Sequence, residues 1–402
     1  MYLSYKPKAK PKALLRPLKA TFVCDLRMER QVPLLGDWRQ VSGMCEYTWR
    51  GAYAEHDHCS SKNLCNGFLC ATAVVPSVFF VIFVVFGTCA TETAKDGSWC
   101  TLLVDHPFFT VNLLFFVNVT VGFWVIGWIQ KSMWLIDPYW TILPPLIGHF
   151  YRELPQVQDQ PTVPTRATVS LLLVWVWAVR LTINYFRREN WKFGEREDWR
   201  YTKMQKDFPT CWPVLSFFAV GLAQQPLLVG ITWPLEYTNY GGGGGSDSEY
   251  GADTWTIVDS LATTGCVVGL TFAHFADNQL RDYMLENETR RKEGRDVIPL
   301  LNTGLWKYSR HPNYFGEQLF WWSVALFAIG VGAWWTAVGT LLNSIVLAIV
   351  TVMTEEKMVT NWTPARVHMY RLYQRDTSVL IPLPKRHLIC GETDPMIDPA
   401  AS

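Results

Sequence analysis

The 402-residue chain has little charge. Only 18% of its residues are Asp, Glu, Lys or Arg, and its formal net charge is +1. A soluble globular domain has nearer 25% charged residues, so the deficit argues against a soluble domain. A near-neutral balance also lacks the strong positive charge with which proteins bind nucleic acid. No nucleic-acid partner is therefore expected.

The chain also lacks the signatures of several other protein classes. Its ten cysteines are scattered instead of forming the dense framework of a small secreted module, so most are expected to be reduced or buried thiols. The glycine run Gly241–Gly245 is followed by neither Lys-Ser nor Lys-Thr, and it is predicted to be a flexible turn, not a phosphate loop. No metal is expected, because one histidine- and cysteine-rich stretch matches no familiar zinc spacing. Its members are His56, His58, Cys59, Cys65 and Cys70.

Long hydrophobic runs dominate what is present. The sequence is 49% hydrophobic and contains 20 tryptophans, a residue that favours the membrane interface. A helix that crosses a bilayer needs about 20 mainly apolar residues, and eight such segments recur, the seventh being short. The prediction is an all-α, polytopic membrane helical bundle with about seven or eight transmembrane helices. The segments are Ala71–Ala90, Phe108–Gln130, Ser132–Phe150, Arg166–Phe186, Cys211–Leu235, Trp255–Phe275, Glu317–Gly330 and Ala333–Met353.

The distribution of Lys and Arg among the connections predicts an orientation. The N-terminal region before Ala71, the stretches Arg187–Lys206 and Arg281–Arg310, and the region after Lys357 are all basic, whereas Glu236–Asp253 contains neither Lys nor Arg. By the positive-inside rule the basic stretches are cytosolic. Eight crossings place all of them on one side. The first residues, up to Lys19, are read as a basic cytosolic tail, with a transit peptide as the alternative.

The densest group of polar residues lies between the sixth and seventh segments, in Ala276–Arg281 and Gly304–Glu317. Arginine offers a planar fork for phosphates, and aromatic side chains offer flat faces for a purine or nicotinamide ring. Asn313 and Glu317 can bind an amide or ribose hydroxyls. The alternative is an interfacial loop whose basic residues face lipid phosphates, which fits Arg290–Lys292 equally well.

Two further polar features lie inside apolar segments. Arg180, Asn184 and Arg188 recur at helical spacing on one face of the fourth segment, and an arginine there is normally paired or lines a cavity. Tyr185 lies beside them and is either functional or an interfacial belt residue. Asp137 interrupts the third segment, and a carboxylate in such a place is a functional-site hypothesis by default. The alternative is that this segment dips to the interface, where Asp137 is solvated.

Several of these motifs, in order, resemble the C-terminal domain of the steroid 5-alpha-reductase superfamily, and most closely its branch of functionally unassigned membrane reductase-like proteins. The resemblance covers roughly residues 130–386. Its motifs are Arg180–Arg188, Glu197–Tyr201, Asp277–Arg281, Gly304–Glu317, Glu355–Lys357, Tyr370 to Ser378, and Ile381-Pro382.

The resemblance implies a reductase that binds NADPH in a cavity open to the cytosol and reduces a C=C bond of a lipid from the bilayer, such as a steroid, sterol or polyprenoid. It further implies that Tyr185 is a proton donor. Asp137 is assigned to the acceptor oxygen, with an ion pair to Arg180 as the alternative, although the catalytic glutamate of the superfamily lies in a region that does not align here. The expected location is the endoplasmic reticulum. The implied cofactor contacts are Arg188, Asp277, Arg281, Tyr308, His311, Asn313, Tyr314 and Glu317.

The predicted organisation has four parts. Residues 1–70 form a basic cytosolic region, residues 71–130 the first transmembrane helices, residues 131–386 the reductase-like membrane domain with the cofactor site, and residues 387–402 a tail.

A second family shares some of these motifs. The run Arg310–Tyr314 and the pair Glu355-Glu356 also resemble isoprenylcysteine carboxyl methyltransferases, which bind S-adenosylmethionine there. Asn313, Glu317 and the element Asp277–Arg281 favour the reductases. A non-enzymatic membrane scaffold is a third possibility, because a fold does not determine a function.

Overall fold

The computed structural model describes residues 61–89, 98–158, 165–239, 255–360 and 362–385, and helices account for most of them. Within these ranges there is no β-strand, only an isolated bridge between Ser309 and Ser378. The predicted all-α class is confirmed. Lipid favours this outcome, because the backbone groups of a spanning segment must be hydrogen-bonded within the protein.

Long helices match each of the predicted segments. They are α1 (Ser61–Cys89), α2 (Pro107–Gln130), α3 (Ile136–Arg152), α4 (Thr165–Arg188), α5 (Trp212–Thr238), α6 (Ile257–Lys292), α7 (Pro312–Gly330) and α8 (Trp334–Thr360). Shorter helices among the described residues are Ser98–Asp105, Pro155–Gln158, Trp199–Asp207, the 3-10 turn Gly304–Lys307 and the C-terminal helix Pro364–Asp376.

Six of these helices are long and apolar enough to cross a membrane, namely α1, α2, α4, α5, α6 and α8. The polytopic helical bundle is thereby confirmed. The other two predicted crossings are helical but differ in character: α3 has 17 residues, and α7 begins with the polar sequence Pro-Asn-Tyr-Phe-Gly-Glu.

Helix α6 is much longer than predicted, because it continues 17 residues beyond Phe275 to Lys292. Its start is fixed by a capping box between Thr256 and Asp259. Its polar end contains ion pairs one helical turn apart, Glu286 with Arg290 and Glu288 with Lys292. Such pairs stabilise an exposed helix without any apolar periodicity, so hydropathy alone places the end too early.

Close contact between α6 and α7 depends on small residues. Gly265, Gly269 and Ala273 follow one another at four-residue spacing on α6. A Cβ atom at Gly269 would lie 2.7 Å from the carbonyl oxygen of Gly316 on α7. Small residues let membrane helices approach closely enough for van der Waals packing to hold them together. This packing brings the polar residues of α6 and α7 to one place.

The basic connections and the disulfide lie at different ends of the bundle. We call the end formed by residues 131–135, 189–211, 293–311 and 362–385 the basic end. The disulfide Cys89–Cys100 joins the last residue of α1 to the short helix after it, at the opposite end. This bond was not predicted, whereas the four other described cysteines are free. His56, His58 and Cys59 lie outside the described residues.

At the basic end the C-terminal segment folds back onto the connection before α7. The backbone N–H of Arg310 donates to the carbonyl of Ser378 at 2.8 Å, and that of Leu383 donates to the carbonyl of Tyr308 at 3.1 Å. The hydroxyl of Tyr373 donates to the carbonyl of Trp306. These bonds fix the loop from which α7 starts.

Candidate functional site

A buried arginine joins three helices near the basic end. Arg180 on α4 reaches Asp277 on α6, with 2.9 Å between Nη1 and Oδ2, and its Nη2 pairs with Oε1 of Glu317 on α7. Asn184 and Asn313 donate to the two oxygens of Asp277, at 2.7 Å and 3.2 Å. We call these five residues the arginine–carboxylate cluster. Three of them, Asp277, Asn313 and Glu317, were predicted site residues, and the structure brings them together.

The cluster has one more negative than positive charge, because two carboxylates share a single guanidinium. The side chain of Arg180 is only 9% exposed, and Trp177 donates from its indole to Oε2 of Glu317 at 2.7 Å. Two buried polar atoms nevertheless have no hydrogen-bond partner among the described residues, Nε of Arg180 and Oδ1 of Asn313. One donor and one acceptor are therefore available to a ligand or to water.

A second group is centred on Glu355 near the end of α8. Arg310 pairs with it at 2.8 Å, Nε2 of His311 lies 3.0 Å from its Oε1, and Gln374 donates to its Oε2 at 2.8 Å. Arg310 also donates to the carbonyls of Gln374 and Thr377 at the end of the C-terminal helix. His311, a predicted cofactor contact, is thus buried and bonded to Glu355. Its ring stacks on that of Tyr314, with 5.1 Å between the centroids.

A third group surrounds the start of α3. The hydroxyl of Tyr185 lies within electrostatic range of Asp137 and of the Cys70 thiol. The guanidinium of Arg188 lies 5.4 Å from the centroid of the Tyr185 ring. Arg188 is 62% exposed and is paired with Glu189 at 2.9 Å. The described part of the chain offers no hydrogen bond to the Asp137 carboxylate, which is half-buried and within range of Arg188 and Arg200.

Tyr201 belongs to this third group and was not predicted. It is 5% exposed, lies within electrostatic range of Asp137, and burial raises the pKa of its hydroxyl. Its position is fixed by Asp198, which caps the helix Trp199–Asp207 and accepts two side-chain hydrogen bonds from Arg200, each 2.9 Å long. Burial acts to raise the pKa of Asp198, but these bonds and the charge of Arg200 outweigh it, and the pKa falls below its usual range. The motif Glu197–Tyr201 was the only sequence signal.

The remaining predicted cofactor contacts differ in how free their side chains are to bind a ligand. Arg281 is one helical turn beyond Asp277 on α6, is half-buried, and forms no ion pair with any described residue. Tyr308 is 41% exposed, beside Lys307. Trp306, by contrast, is buried and donates to the carbonyl of Ala276 at 3.1 Å. Its ring therefore packs the loop against α6 and is not free to stack on a base.

The chain is similar to one protein family and to a yeast protein. Residues 123–377 match a family model described as "Protein of unknown function (DUF1295)". The chain is also 28% identical over 292 residues to an uncharacterized protein of Schizosaccharomyces pombe, covering 67% of this chain and 78% of the yeast protein. No solved structure matches significantly. The residues of the three groups lie within the matched range, whereas Cys70, the neighbour of Tyr185, precedes it.

Proposed function

This chain belongs to the DUF1295 family, and we propose that it is a membrane reductase that transfers hydride from NADPH to a C=C bond of a lipid. The arginine–carboxylate cluster carries the proposal. It places charged and amide side chains of α4, α6 and α7 in one buried position at the basic end. Polar groups at such depth in a membrane helix are costly and are generally associated with function.

The residues present fit NADPH. The unpartnered Nε of Arg180 and Oδ1 of Asn313 offer one donor and one acceptor, which is the pairing that a carboxamide group requires. Arg281 is free of carboxylates among the described residues, and Arg188 is largely exposed. These two guanidinium groups would hold phosphates by charge-assisted hydrogen bonds. Tyr308 supplies an exposed ring for the adenine.

We assign binding of the lipid acceptor to the third group of residues, around Tyr185 and Asp137. NADPH, when bound, supplies the hydride. The Tyr185 hydroxyl donates a hydrogen bond to the conjugated oxygen of the acceptor and stabilises the negative charge that develops there. Tyr185 then gives its proton to this enolate, the resulting enol converts to the saturated ketone, and the tyrosinate regains a proton from solvent. The Asp137 carboxylate, which has no hydrogen-bond partner among the described residues, positions the acceptor oxygen, and the buried Tyr201 lies near it. The surrounding helices exclude water, which protects both the hydride and the charged oxygen.

The orientation follows from the two ends of the bundle. A basic end on the cytosolic side satisfies the positive-inside rule and places the cluster near the compartment that contains cytosolic NADPH. The disulfide Cys89–Cys100 then faces the other compartment. Disulfides persist in the lumen of the endoplasmic reticulum and are rare in the cytosol, which supports a location in that membrane.

The methyltransferase alternative has one observation in its favour. The structure brings the Arg310-His311 run to Glu355, as the resemblance to isoprenylcysteine carboxyl methyltransferases requires. These side chains are, however, already bonded to one another and to the C-terminal helix. Their hydrogen bonds hold the C-terminal helix to the end of α8 and to the start of α7, which accounts for the group without a bound ligand.

Titration of the detergent-purified full chain with NADPH and with S-adenosylmethionine separates the two functions. The reductase predicts saturable NADPH binding, no binding of S-adenosylmethionine, and NADPH oxidation when a lipid enone is added. Binding of S-adenosylmethionine alone would establish the alternative. A chain that binds neither in detergent and in lipid nanodiscs would refute both.

A further inference from the structure

An apolar cavity of about 220 Å³ lies between α1, α2 and α3. It extends from the level of Val74 and Leu143 to Glu153, at the end of the bundle away from the arginine–carboxylate cluster. The ten-residue rise from Leu143 to Glu153 corresponds to about 15 Å along α3. Two of its three walls, α1 and the part of α2 that lines the cavity, lie outside the range matched by the family model. None of the residues assigned to the proposed reaction lines this cavity.

The polar groups on its walls are already hydrogen-bonded, and its one charged lining residue, Glu153, is exposed at the far end and accepts from Gln158 at 3.3 Å. Ser77 donates to Oδ1 of Asn118 at 2.7 Å, and Asn118 donates to the carbonyl of Ala73 at 2.8 Å. Nε2 of His149 lies 2.9 Å from the indole nitrogen of Trp175. Apolar cavities of about 150 Å³ stay dry and accept an apolar guest. A larger cavity with satisfied polar groups therefore suits hydrocarbon better than water or a polar ligand.

The cavity begins one helical turn from the third group of site residues. Val74 and Leu143 line it. Val74 is four residues after Cys70 on α1, and Leu143 is four residues after Tyr139 on α3. The Tyr139 hydroxyl donates to the carbonyl of Cys70 at 2.6 Å and so joins the two helices at that level. The thiol of this same Cys70 is within electrostatic range of the Tyr185 hydroxyl. Cys70 on α1 and Asp137 on α3, the electrostatic neighbours of Tyr185, therefore lie about one or two helical turns from the apolar cavity along the same two helices.

We propose that this cavity holds the hydrocarbon tail of the acceptor, so that the substrate is an elongated lipid with its reducible group at the end nearest Tyr185. The inference rests on the proposed reductase function. The lengths of α1, α2 and α3 beyond Tyr185 then determine the longest hydrocarbon tail that the cavity accepts. A bulk phospholipid chain that merely fills the space is the competing occupant.

Leu114→Trp tests the proposal by filling the cavity. Leu114 lines the cavity and is half-buried, whereas its neighbour Leu113 is 38% exposed and does not line it. Leu113→Trp is therefore the matched control, with the same substitution on the same helix but on a lipid-facing position.

The first measurement uses a hexadecyl-substituted cyclohexenone with a diazirine at the end of its tail, in phosphatidylcholine vesicles containing the full chain. Photolabelling is expected in the peptides with Val81, Phe115 and Leu146, strongly reduced in Leu114→Trp and unchanged in Leu113→Trp. Three results would each overturn the proposal. The label could be spread over the outward-facing residues, it could be unchanged in Leu114→Trp, or excess phosphatidylcholine could abolish it.

The second measurement compares kcat/KM for this long enone and for unsubstituted cyclohexenone. Leu114→Trp is expected to lower the value for the long enone at least about tenfold, because misplacement by about 1 Å can cost up to about a hundredfold. The short enone and NADPH binding should be unaffected. Equal loss with both enones would overturn the tail site. Absence of NADPH binding by the wild-type chain would instead refute the reductase, and the labelling result would still decide the cavity.

Discussion

Replacement of Arg180 by methionine should destabilise the protein severely while the same change at the surface should not. Arg180→Met leaves Asp277 and Glu317 charged and without a cation, with side chains only 17% and 23% exposed. Hydrogen bonds to charged groups contribute about 1.5–3 kcal/mol each, and Arg180 makes two. The resulting sum of about 3–6 kcal/mol agrees with the about 3–5 kcal/mol expected for removing one partner of a buried ion pair.

The assay is unfolding by sodium dodecyl sulfate in mixed micelles, followed by circular dichroism. Arg196→Met is the matched control, because Arg196 is 66% exposed and its Glu189 contact is 4.0 Å long. Its expected cost is below about 1 kcal/mol. Arg180→Lys keeps the charge but cannot offer a planar fork to two carboxylates, so it should fall between the two.

A triple variant separates stability from function. When Arg180→Met is combined with Asp277→Asn and Glu317→Gln, no uncompensated charge remains, and most of the lost stability should return. NADPH binding should not return, because the donor at Arg180 is missing. An Arg180→Met protein within about 1 kcal/mol of wild type would refute the buried ion pairing. A triple variant that binds NADPH normally would refute the cofactor role of the cluster.

Three further outcomes are expected. Arg281→Ala should weaken NADPH binding about tenfold in a titration, with unchanged stability, because a charge-assisted bond to phosphate is lost but no ion pair; unchanged affinity would remove Arg281 from the site. Tyr185→Phe should lower kcat about a hundredfold and leave the NADPH Kd unaltered, and normal turnover would exclude this hydroxyl. The lowered pKa of Asp198 means that its bond with Arg200 stabilises the protein above the unfolded pKa of about 3.9 and that this contribution is lost as the pH falls through the folded value. The stability difference between wild type and Asp198→Asn should therefore be constant near neutral pH and shrink below about pH 4; a difference that grows on acidification would contradict the ion pair.

Hydropathy predicted the helices because a membrane leaves the backbone few alternatives. Each apolar run must satisfy its own N–H and C=O groups, so the length and composition of a run such as Ala333–Met353 are enough to predict α8. The polar end of α6 is the exception, since it is stabilised by the charge pairs Glu286–Arg290 and Glu288–Lys292 and contains no long apolar run.

The candidate site was predictable in its residue types but not in its pairing. The sequence places Asp277, Asn313 and Glu317 near one membrane boundary, and the structure brings them together. Their partner Arg180 lies 97 residues before Asp277 and 137 before Glu317, a separation at which helical periodicity carries no information. The same holds for His311, whose hydrogen bond to Glu355, 44 residues later, cannot be read from the motif.

In the proposed function, different parts of the chain bind the cofactor and the acceptor, and this division has a consequence for substrate specificity. Helices α4, α6 and α7, which form the arginine–carboxylate cluster, lie within the range that defines the family. The tail cavity instead takes two of its walls from α1 and α2, which lie before that range or extend only into its start. For the proposed reductase we therefore expect that a change in α1 or α2 alters which lipid is reduced without disturbing the ion pairs that hold α4, α6 and α7 together. Chain-length preference should accordingly respond to substitutions at Val81 or Leu114, whereas NADPH affinity should respond only to those in the matched range.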